Sequence, residues 1–309
     1  MTGSANLMLL PQVTDSLAGR LEILRLFPLS ECEMGQKNSG LAKRLFKKPF
    51  SFTGEGIPEE ELIQRVIRGG FPEAVLRSTP ARRRQWHTNY IEAIIQRDIQ
   101  DVARISALDQ IPKLLLMLSN QSGQLVNVSE IAKAFQLSRP TLDHYIALLK
   151  KLFLLELLPP WFSNQNNRLV KTPKVHLADT GLACATLGTN ERHLAQTRPL
   201  WGRMLETFVF NELRRQASWC EEPLRFFHYR DRDDYEVDIV IENQSGELTG
   251  IEVKSSATVQ AHDFKGLKQL QRTAPGAMKQ GILLYRGKET LSFGQGMIAL
   301  PIDALWNIK

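Results

Sequence analysis

Two strand-like runs near the C-terminus limit the folds that this sequence can adopt. The runs cover residues 236–242 and 248–254, are rich in β-branched residues, and are joined by the polar segment 243–247. This pattern predicts a β-hairpin centred on Ser245. In that register two charged pairs lie directly opposite one another, namely Asp238 with Glu252 and Glu236 with Lys254.

Alternation of side chains along a strand places these four charged residues on one face of the hairpin. The other face is apolar and contains Val237, Ile239, Ile241, Ile251 and Val253. Two opposed carboxylates at about 5 Å repel one another. A divalent cation between Asp238 and Glu252 removes this repulsion, and carboxylate oxygens are the ligands that Mg²⁺ prefers. The alternative is an exposed cross-strand ion pair between Glu236 and Lys254, because Glu-x-Lys is common on strands.

The elements around the hairpin predict a mixed α/β domain over residues 199–309. We expect a helix over 200–216 and a strand over 224–229, then, after the hairpin, a helix over 263–273, a strand over 281–285 and a strand–helix pair over 297–306. The helix that follows the hairpin permits a parallel crossover, so the sheet should be mixed. Glu206 lies on the first helix among apolar residues, where a carboxylate needs a partner.

Residues 109–182 predict a winged helix-turn-helix. Helices are expected over 111–120, 129–135 (with Ser129 as N-cap) and 139–149, and strands over 153–158 and 174–178 flank a polar loop. Such a layout puts the second helix of the pair in a DNA major groove. The side chains available to DNA are Ser138, Arg139, Thr141 and His144 from the helix, and Arg168, Lys171 and Lys174 from the wing. Docking to another protein is the equal alternative, because only modest basic character supports DNA contact.

Composition sets broad limits on partners and compartment. The chain has 309 residues, a net charge of +6 and a pI near 9.2, which suits an anionic partner, nucleic acid first. Its 3 cysteines form no C-x-x-C motif, which favours a reducing compartment. No signal peptide and no apolar run of about 20 residues occurs. We therefore expect a cytoplasmic protein without a membrane contact.

The order of helix, three strands bearing Asp238 and Glu252-x-Lys254, helix and strand resembles the PD-(D/E)XK nuclease superfamily. This resemblance implies that Asp238, Glu252 and Glu206 hold Mg²⁺ and that Lys254 positions the attacking water. The implied reaction is hydrolysis of a phosphodiester by metal-bound water. Further side chains that the resemblance places near the site are Tyr229, Arg230 and Gln269.

A second set of motifs extends over almost the whole chain. The motifs are Thr2–Ser4, Leu17–Arg20, Pro28–Ser30, Gly69–Glu73, Tyr90–Ile91, Arg97–Ile99, Lys174–Leu182, Glu206, Tyr229–Arg230, Glu236–Asp238 and Glu252–Lys254. Together they resemble the C-terminal portion of a prokaryotic family of AAA-type ATPases. Members of that family end in an uncharacterised domain that combines a winged helix with a restriction-endonuclease-like fold.

This sequence differs from that family in lacking the nucleotide-binding motif. No G-x-x-x-x-G-K-[ST] motif occurs, so the phosphate cradle and its lysine are absent and no ATP site is expected in this chain. Residues 1–30 would be a remnant of the ATPase domain, poorly packed without its sheet, and residues 31–108 a linker and helical region. Three functions stay open: a DNA-interacting Mg²⁺-dependent nuclease, an inactive DNA- or protein-binding module, and a docking partner of a separate ATPase subunit.

Overall fold

The computed structural model describes residues 24–37, 40–47, 52–98, 109–163 and 172–308. Most of the predicted ATPase remnant and the wing residues Arg168 and Lys171 lie outside these ranges. Within them, no helix combines the length and apolar character needed to cross a lipid bilayer.

The first described segment is anchored by a capped helix. Helix α1 spans Glu31–Met34, and Ser30 and Glu33 cap it reciprocally through side chain and backbone. A 3₁₀ turn at Leu41–Arg44 follows, and Leu45 after it is fully buried. The region predicted as a linker therefore contributes side chains to the hydrophobic core.

Three helices form the next layer. Helix α2 spans Glu59–Arg68, α3 spans Pro72–Val75, and α4 spans Pro80–Ala93 and continues as a π-helical turn over Ile94–Asp98. Three glutamates occupy the first turn of α2, where they favour the helix dipole. Helix α2 ends at Arg68, and the capping residue Gly69 has a φ of 66°, a positive value that glycine adopts without strain.

The predicted helix-turn-helix region contains three helices and a small sheet. The elements are α5 (Gln110–Asn120), β1 (Gln124–Leu125), α6 (Val128–Ala134), α7 (Arg139–Lys151), β2 (Leu155–Leu158) and β3 (Lys174–Leu177). The strands pair antiparallel in the order β1-β3-β2. The N-cap prediction was wrong by two residues. Asn127, not Ser129, caps α6, since its side-chain oxygen accepts a hydrogen bond from Glu130 N at 3.3 Å.

Three further helices connect this region to the large sheet. They are α8 (Thr180–Thr186), α9 (Glu191–Gln196) and α10 (Arg198–Ala217). Most of the residues of α10 are buried, because the helix packs against the sheet on one side and the smaller helices on the other. This helix carries Glu206, as the sequence predicted.

A mixed sheet follows, as predicted, but it has six strands, because the short strand at Leu291–Ser292 was not predicted. Its strands are β4 (Arg225–Arg230), β5 (Glu236–Glu242), β6 (Leu248–Val253), β7 (Met278–Tyr285), β8 (Leu291–Ser292) and β9 (Met297–Pro301), in the order β4-β5-β6-β7-β9-β8. The β6–β7 and β7–β9 pairs are parallel and the others antiparallel. A 3₁₀ turn (Ala261–Phe264) and α11 (Lys265–Thr273) connect β6 to β7, and α12 (Ala304–Asn307) follows β9.

The large sheet has a core on each face. Ile239, Ile241 and Ile251 belong to the larger core, which also contains α10 and the interiors of α5 and α7. Val240 and Leu248 belong to the smaller core, beneath α11. Apolar burial of this kind supplies most of the stabilisation of an α/β sheet.

Val237 was predicted to share a face with Ile239, and this was wrong. The β4–β5 register pairs Phe227 with Val240 but Tyr229 with Val237, so β5 contains a bulge between those pairs. An extra residue in one strand reverses the direction of the side chains beyond it. Val237 therefore packs in the smaller core, under α11.

A carboxylate cluster at the junction of the two sheets

The predicted hairpin register is confirmed for the regular ladder, but the predicted opposed pairs Asp238–Glu252 and Glu236–Lys254 lie beyond its end. Strands β5 and β6 pair Ile239 with Ile251 and Val240 with Gly250, the register of a hairpin centred on Ser245. The regular ladder ends at Ile239. Beyond it, Asp238 accepts a hydrogen bond from the backbone N–H of Val253 through Oδ2 at 2.9 Å. The Asp238 carboxylate therefore satisfies the backbone N–H of the last residue of β6, where the ladder with β5 has ended.

A lysine from the small sheet lies among the acidic side chains. Lys174 Nζ donates to Glu206 Oε1 at 2.9 Å and to Asp238 Oδ1 at 3.4 Å. It also forms an ion pair with Glu236 Oε1 at 2.6 Å. We call Lys174, Glu206, Glu236 and Asp238 the junction cluster, because Lys174 is on β3 whereas the acids are on α10 and β5. The prediction that Lys174 is available to DNA was wrong, since its side chain is only 1% exposed.

Strand alternation explains how β3 delivers this lysine. Val175 and Leu177 point into the core beneath α5 and α7. Lys174 and His176 occupy the alternate positions and meet α10. A lysine so deeply buried must be paired, because an isolated buried charge is very costly.

The charges of the junction cluster shift the pKa values of Lys174 and Glu206. Burial alone lowers the pKa of Lys174, but attraction to Glu206, Asp238 and Glu236 outweighs it and raises the pKa well above its usual value. Burial, and then repulsion by Asp238, raises the pKa of Glu206 well above its usual value, against the opposing effect of Lys174. Lys174 therefore stays charged, and the crowding of three acids around one cation disfavours the ionised form of Glu206.

Glu252 and Lys254 form a separate ion pair beside the junction cluster. Lys254 Nζ donates to Glu252 Oε1 at 2.9 Å. The alternative cross-strand pair of Glu236 with Lys254 was wrong, because Glu236 instead pairs with Lys174 and, at 3.9 Å, with Arg230. Burial, and then repulsion by Asp238, raises the pKa of Glu252 to about 8, although Lys254 opposes the shift.

Two buried histidines flank Lys174. His176 Nδ1 lies 3.1 Å from Thr207 Oγ1, and His228 Nε2 lies 3.2 Å from the Thr172 carbonyl oxygen. Burial, followed by repulsion from Lys174, lowers the pKa of His176 well below its usual value and that of His228 to about 3. Both imidazoles are therefore neutral. His176 Nε2 has no hydrogen-bond partner among the described residues and lies 4.0 Å from Glu206 Oε1.

The predicted magnesium ligands do not fit a divalent ion in this arrangement. Among the residues that the structure describes, no three acidic, histidine or cysteine side chains are placed to hold a metal. Each carboxylate already has a cationic partner: Asp238 and Glu206 contact Lys174, and Glu252 contacts Lys254. Lysine ammonium groups thus supply the positive charge that the sequence assigned to Mg²⁺.

Three side chains that the resemblance places near the site, Tyr229, Arg230 and Gln269, lie around the turn between β4 and β5. Tyr229 donates to Asp231 Oδ2 at 3.4 Å, and Gln269 Nε2 donates to the same oxygen at 3.1 Å. Arg230 pairs with Asp234 at 2.9 Å. Asp231 also accepts the backbone N–H groups of Asp233 and Tyr235 and so fixes this turn. Tyr229 and Gln269 therefore order the loop beside the cluster and do not contact Glu252.

The predicted DNA-reading residues lie on α7 and its N-terminus. Ser138 caps α7, since its hydroxyl accepts from Thr141 N at 3.2 Å and contacts the Thr141 hydroxyl at 2.7 Å. Arg139 and His144 are exposed, and Arg139 faces Asp143 at 3.8 Å. Ser138 and Thr141 thus take part in capping α7, and Arg139 lies beside the carboxylate of Asp143.

The prediction missed a more basic surface on α4. Arg77, Arg82, Gln85, Trp86 and Asn89 line a shallow cavity of about 260 Å³, and Arg83 and Arg84, on the same helix, line a separate cavity of about 240 Å³. Trp86 stacks on Tyr90 with ring centroids 5.1 Å apart. We call Arg77, Arg82, Arg83 and Arg84, together with Trp86, the α4 basic surface. The sequence feature that could have predicted this surface is the run Arg82-Arg83-Arg84 directly before Gln85-Trp86, in which basic residues adjoin an aromatic residue.

Sequence comparisons identify relatives without a known role. Residues 59–193 match a family model described as domain of unknown function DUF8612, and residues 201–305 match one described as domain of unknown function DUF4143. An uncharacterized protein of Mycobacterium tuberculosis is 26% identical over 305 residues, 98% of this chain and 62% of that protein. An uncharacterized protein of Methanocaldococcus jannaschii is 24% identical over 87% of this chain and 58% of its own length.

A third relative, an uncharacterized protein of Haemophilus influenzae, is 28% identical over 70% of this chain and 51% of its own length. The chain thus spans less than two thirds of the length of these relatives. No solved structure matches it.

Proposed function

We propose that this chain is a DNA-interacting module whose nuclease-like domain holds its acidic residues with lysines and binds rather than cuts its partner. The observation that carries the proposal is the junction cluster, in which Lys174 Nζ contacts Glu206, Glu236 and Asp238. An ammonium group neutralises these acids without providing the activated water that hydrolysis of a phosphodiester requires.

The order of elements supports a winged helix over residues 109–182. Helix α5, strand β1, helices α6 and α7 and strands β2 and β3 follow one another in the winged-helix order, with the sheet order β1-β3-β2. Arg139 and His144 are exposed on α7, the helix that would enter the major groove. Arg168 and Lys171, in the segment before β3 that lies outside the described residues, would contact the phosphate backbone of DNA from the wing.

The α4 basic surface supports contact with nucleic-acid phosphates. Its four arginines outnumber the nearby acids, and the one described ion pair within it joins exposed Arg77 to Glu73 at 3.3 Å. Arginines beside an aromatic ring are the combination that binds phosphates and stacks bases in single strands. This surface would supply affinity, whereas α7 would supply orientation.

The large domain supports a nuclease-like origin and a role beside an ATPase. Helix α10, strands β4 to β6, helix α11 and strand β7 follow the order of the PD-(D/E)XK fold. The family that residues 201–305 match is often found with AAA-type ATPases. Since the relatives are longer than this chain, the ATPase would be a further domain or a separate subunit. This chain itself carries no phosphate-binding loop.

The proposal is tested by DNA binding and DNA cleavage together. Fluorescence anisotropy with short duplex and single-stranded DNA should show salt-sensitive binding by the wild type. In R82A/R84A the dissociation constant should rise about tenfold and the salt slope should fall by about two. The matched control K265A/K268A removes two positive charges from α11. This helix packs on the face of the large sheet away from α10, so the control should leave DNA binding unchanged.

Mg²⁺-dependent hydrolysis is the second candidate, favoured by the proximity of Asp238 to the Glu252–Lys254 pair. Mg²⁺, when bound, would activate water and offset charge on the phosphoryl oxygens. This candidate requires Lys174 to leave the carboxylates. DNA cleavage by the wild type in Mg²⁺ that is lost in both D238A and K254A would establish it and overturn the binding-only proposal.

A further inference from the structure

The cavity of about 240 Å³ lies away from the junction cluster, where four helices meet. Helices α2 and α4 form one side of it, and α8 with the turn that leads into α9 forms the other. The lining residues that matter for its chemistry are Ile67, Arg83, Arg84, His87, Ala185 and Thr189. Every residue that lines it lies within residues 59–193, the part of the chain that matches DUF8612.

The lining carries an excess of positive charge. Neither Arg83 nor Arg84 forms an ion pair within the part of the chain that the structure describes, and Arg83 Nε donates to the Arg77 carbonyl oxygen at 3.0 Å. Glu191 is the one acid among the described lining residues. Two guanidinium groups against one carboxylate leave one net positive charge, which favours an anionic ligand.

Two polar side chains in the wall of the cavity lack part of their hydrogen bonding. His87 is 1% exposed and Thr189 is 2% exposed. Burial lowers the pKa of His87, so the imidazole is neutral, and its Nε2 atom lies 3.3 Å from the Arg68 carbonyl oxygen. Nε2 therefore carries the proton, and Nδ1 is an acceptor. Neither His87 Nδ1 nor Thr189 Oγ1 has a hydrogen-bond partner among the described residues, although buried polar groups are normally paired.

We propose that this cavity binds a small phosphate monoester whose organic part carries hydroxyl groups, namely a sugar phosphate. Arg83 and Arg84 would hold the phosphate, since two guanidinium groups balance the about two negative charges of a phosphate monoester at neutral pH. Glu191, Thr189 and His87 would bind the hydroxyl groups. The volume lies below the about 300–1,000 Å³ of pockets for drug-sized ligands, so the ligand must be small.

Such a ligand would connect two layers of helices. Its phosphate would lie against α4, and its hydroxyl groups would lie toward the α8–α9 turn. Because it would bind the folded protein only, it should raise the melting temperature. The inference does not depend on DNA binding.

The test is calorimetric titration of the full chain with ribose 5-phosphate in the absence of DNA. The wild type should bind one molecule with a dissociation constant below about 1 mM. R83Q/R84Q should weaken binding at least about tenfold, because both charge-assisted contacts to the phosphate are lost. The matched control R77Q/R82Q also removes two charges, from arginines that line the neighbouring cavity, and should bind like the wild type.

A second pair of variants separates a cavity from a merely basic surface. A185F adds a ring to the half-buried wall, keeps both arginines, and should abolish binding. A81F places the same ring on the exposed first turn of α4 and should bind like the wild type. Ribose, which lacks the phosphate, should not bind.

Absence of saturable binding to the wild type up to about 10 mM ribose 5-phosphate would overturn the inference. Folded A185F that binds as tightly as the wild type would overturn it too, as would equal binding of ribonate, a carboxylate of similar size. If A185F does not fold, R83Q/R84Q against R77Q/R82Q decides. Failure to bind DNA would count against the proposed function only, because these titrations contain no DNA.

Discussion

Asp179 joins three separate segments of the chain. Its Oδ1 accepts from Leu182 N at 3.1 Å and caps α8, while its Oδ2 accepts from Gly70 N at 2.7 Å and from Arg215 Nη2 at 2.8 Å. The carboxylate is fully buried. A Cβ on Gly69 or on Gly70 would collide with its neighbours here, Asp179 and the Leu29 carbonyl respectively. The glycine pair and the aspartate thus form one packing unit.

Asp179→Ala should lower the free energy of unfolding by about 3–5 kcal/mol, because it leaves Arg215 buried without this partner. Urea denaturation followed by circular dichroism measures the loss. Asp109→Ala is the control, since Asp109 is 69% exposed and pairs only loosely with Lys113, and it should change stability by less than about 0.5 kcal/mol. Equal effects of the two substitutions would contradict this account.

Glu252 should make stability depend on pH. Its pKa rises from 4.5 to about 8 on folding, so the folded state binds more protons than the unfolded state between those values. The stabilisation from this proton is present below the lower value and is lost as the pH rises through the higher one. The wild type should therefore lose on the order of a few kcal/mol over this range relative to Glu252→Gln.

The comparison requires urea denaturation at several pH values. Glu222→Gln, which removes an exposed carboxylate, should follow the wild-type profile. Parallel profiles of wild type and Glu252→Gln would show that Glu252 is ionised at neutral pH in the folded protein.

At the scale of elements, the approach of α11 to β5 depends on one glycine. A Cβ on Gly266 would overlap the Glu236 carbonyl, whereas a Cβ on Gly202 in α10 would meet no atom within 4 Å. Both glycines lie in helices, so they differ in space and not in secondary structure.

Gly266→Ala should destabilise the protein by about 1–3 kcal/mol, because α11 must move away from β5. Gly202→Ala should stabilise it by about 0.5–1 kcal/mol, because alanine is the better helix former. Thermal unfolding of both variants checks the prediction. Destabilisation by both to the same extent would contradict it.

The elements that could be predicted are those whose signals are local. The β5–β6 register follows from alternation and a short polar turn, and the mixed sheet follows from the intervening helix. The bulge in β5 could not be predicted, since it depends on how β5 pairs with β4 and leaves no trace in the alternation around Val237. Ser129 and Asn127 are both good N-caps, and the sequence alone does not distinguish them.

The candidate site was predicted in part for the same reason. Sequence reasoning singled out Glu206 because a carboxylate in apolar surroundings needs a partner, and Asp238 and Glu252 because they would lie opposite one another on the hairpin. It did not identify Lys174 as the partner, since this lysine was assigned to a solvent-exposed wing. Contact between β3 and α10 is a tertiary feature, and no spacing within either element reports it.

At the scale of the whole molecule, the two sheets are connected through the segment after β2. His228 N donates to the Pro159 carbonyl at 2.9 Å, and Trp161 N donates to the His228 carbonyl at 2.6 Å. The Trp161 ring also donates to Glu242 Oε2 at 3.1 Å. The larger core continues from α5 and α7 through α10 to the large sheet without interruption. Separation of the two regions would expose apolar surface on both.

We therefore expect the chain to unfold in a single transition. Tryptophan fluorescence and far-ultraviolet circular dichroism should give the same urea midpoint, because both regions lose the shared core together. A fragment of residues 199–309 should remain largely unfolded when produced alone. Two separate midpoints, or a folded fragment, would show that the regions are independent.

The lysine on β3 also offers a way to sort related proteins. Lys174 lies on a different element from the acids that it neutralises, so a substitution at this one position would change the electrostatics of the junction cluster without altering any acid. Relatives that carry a small neutral residue there would leave the equivalent acids without this cation.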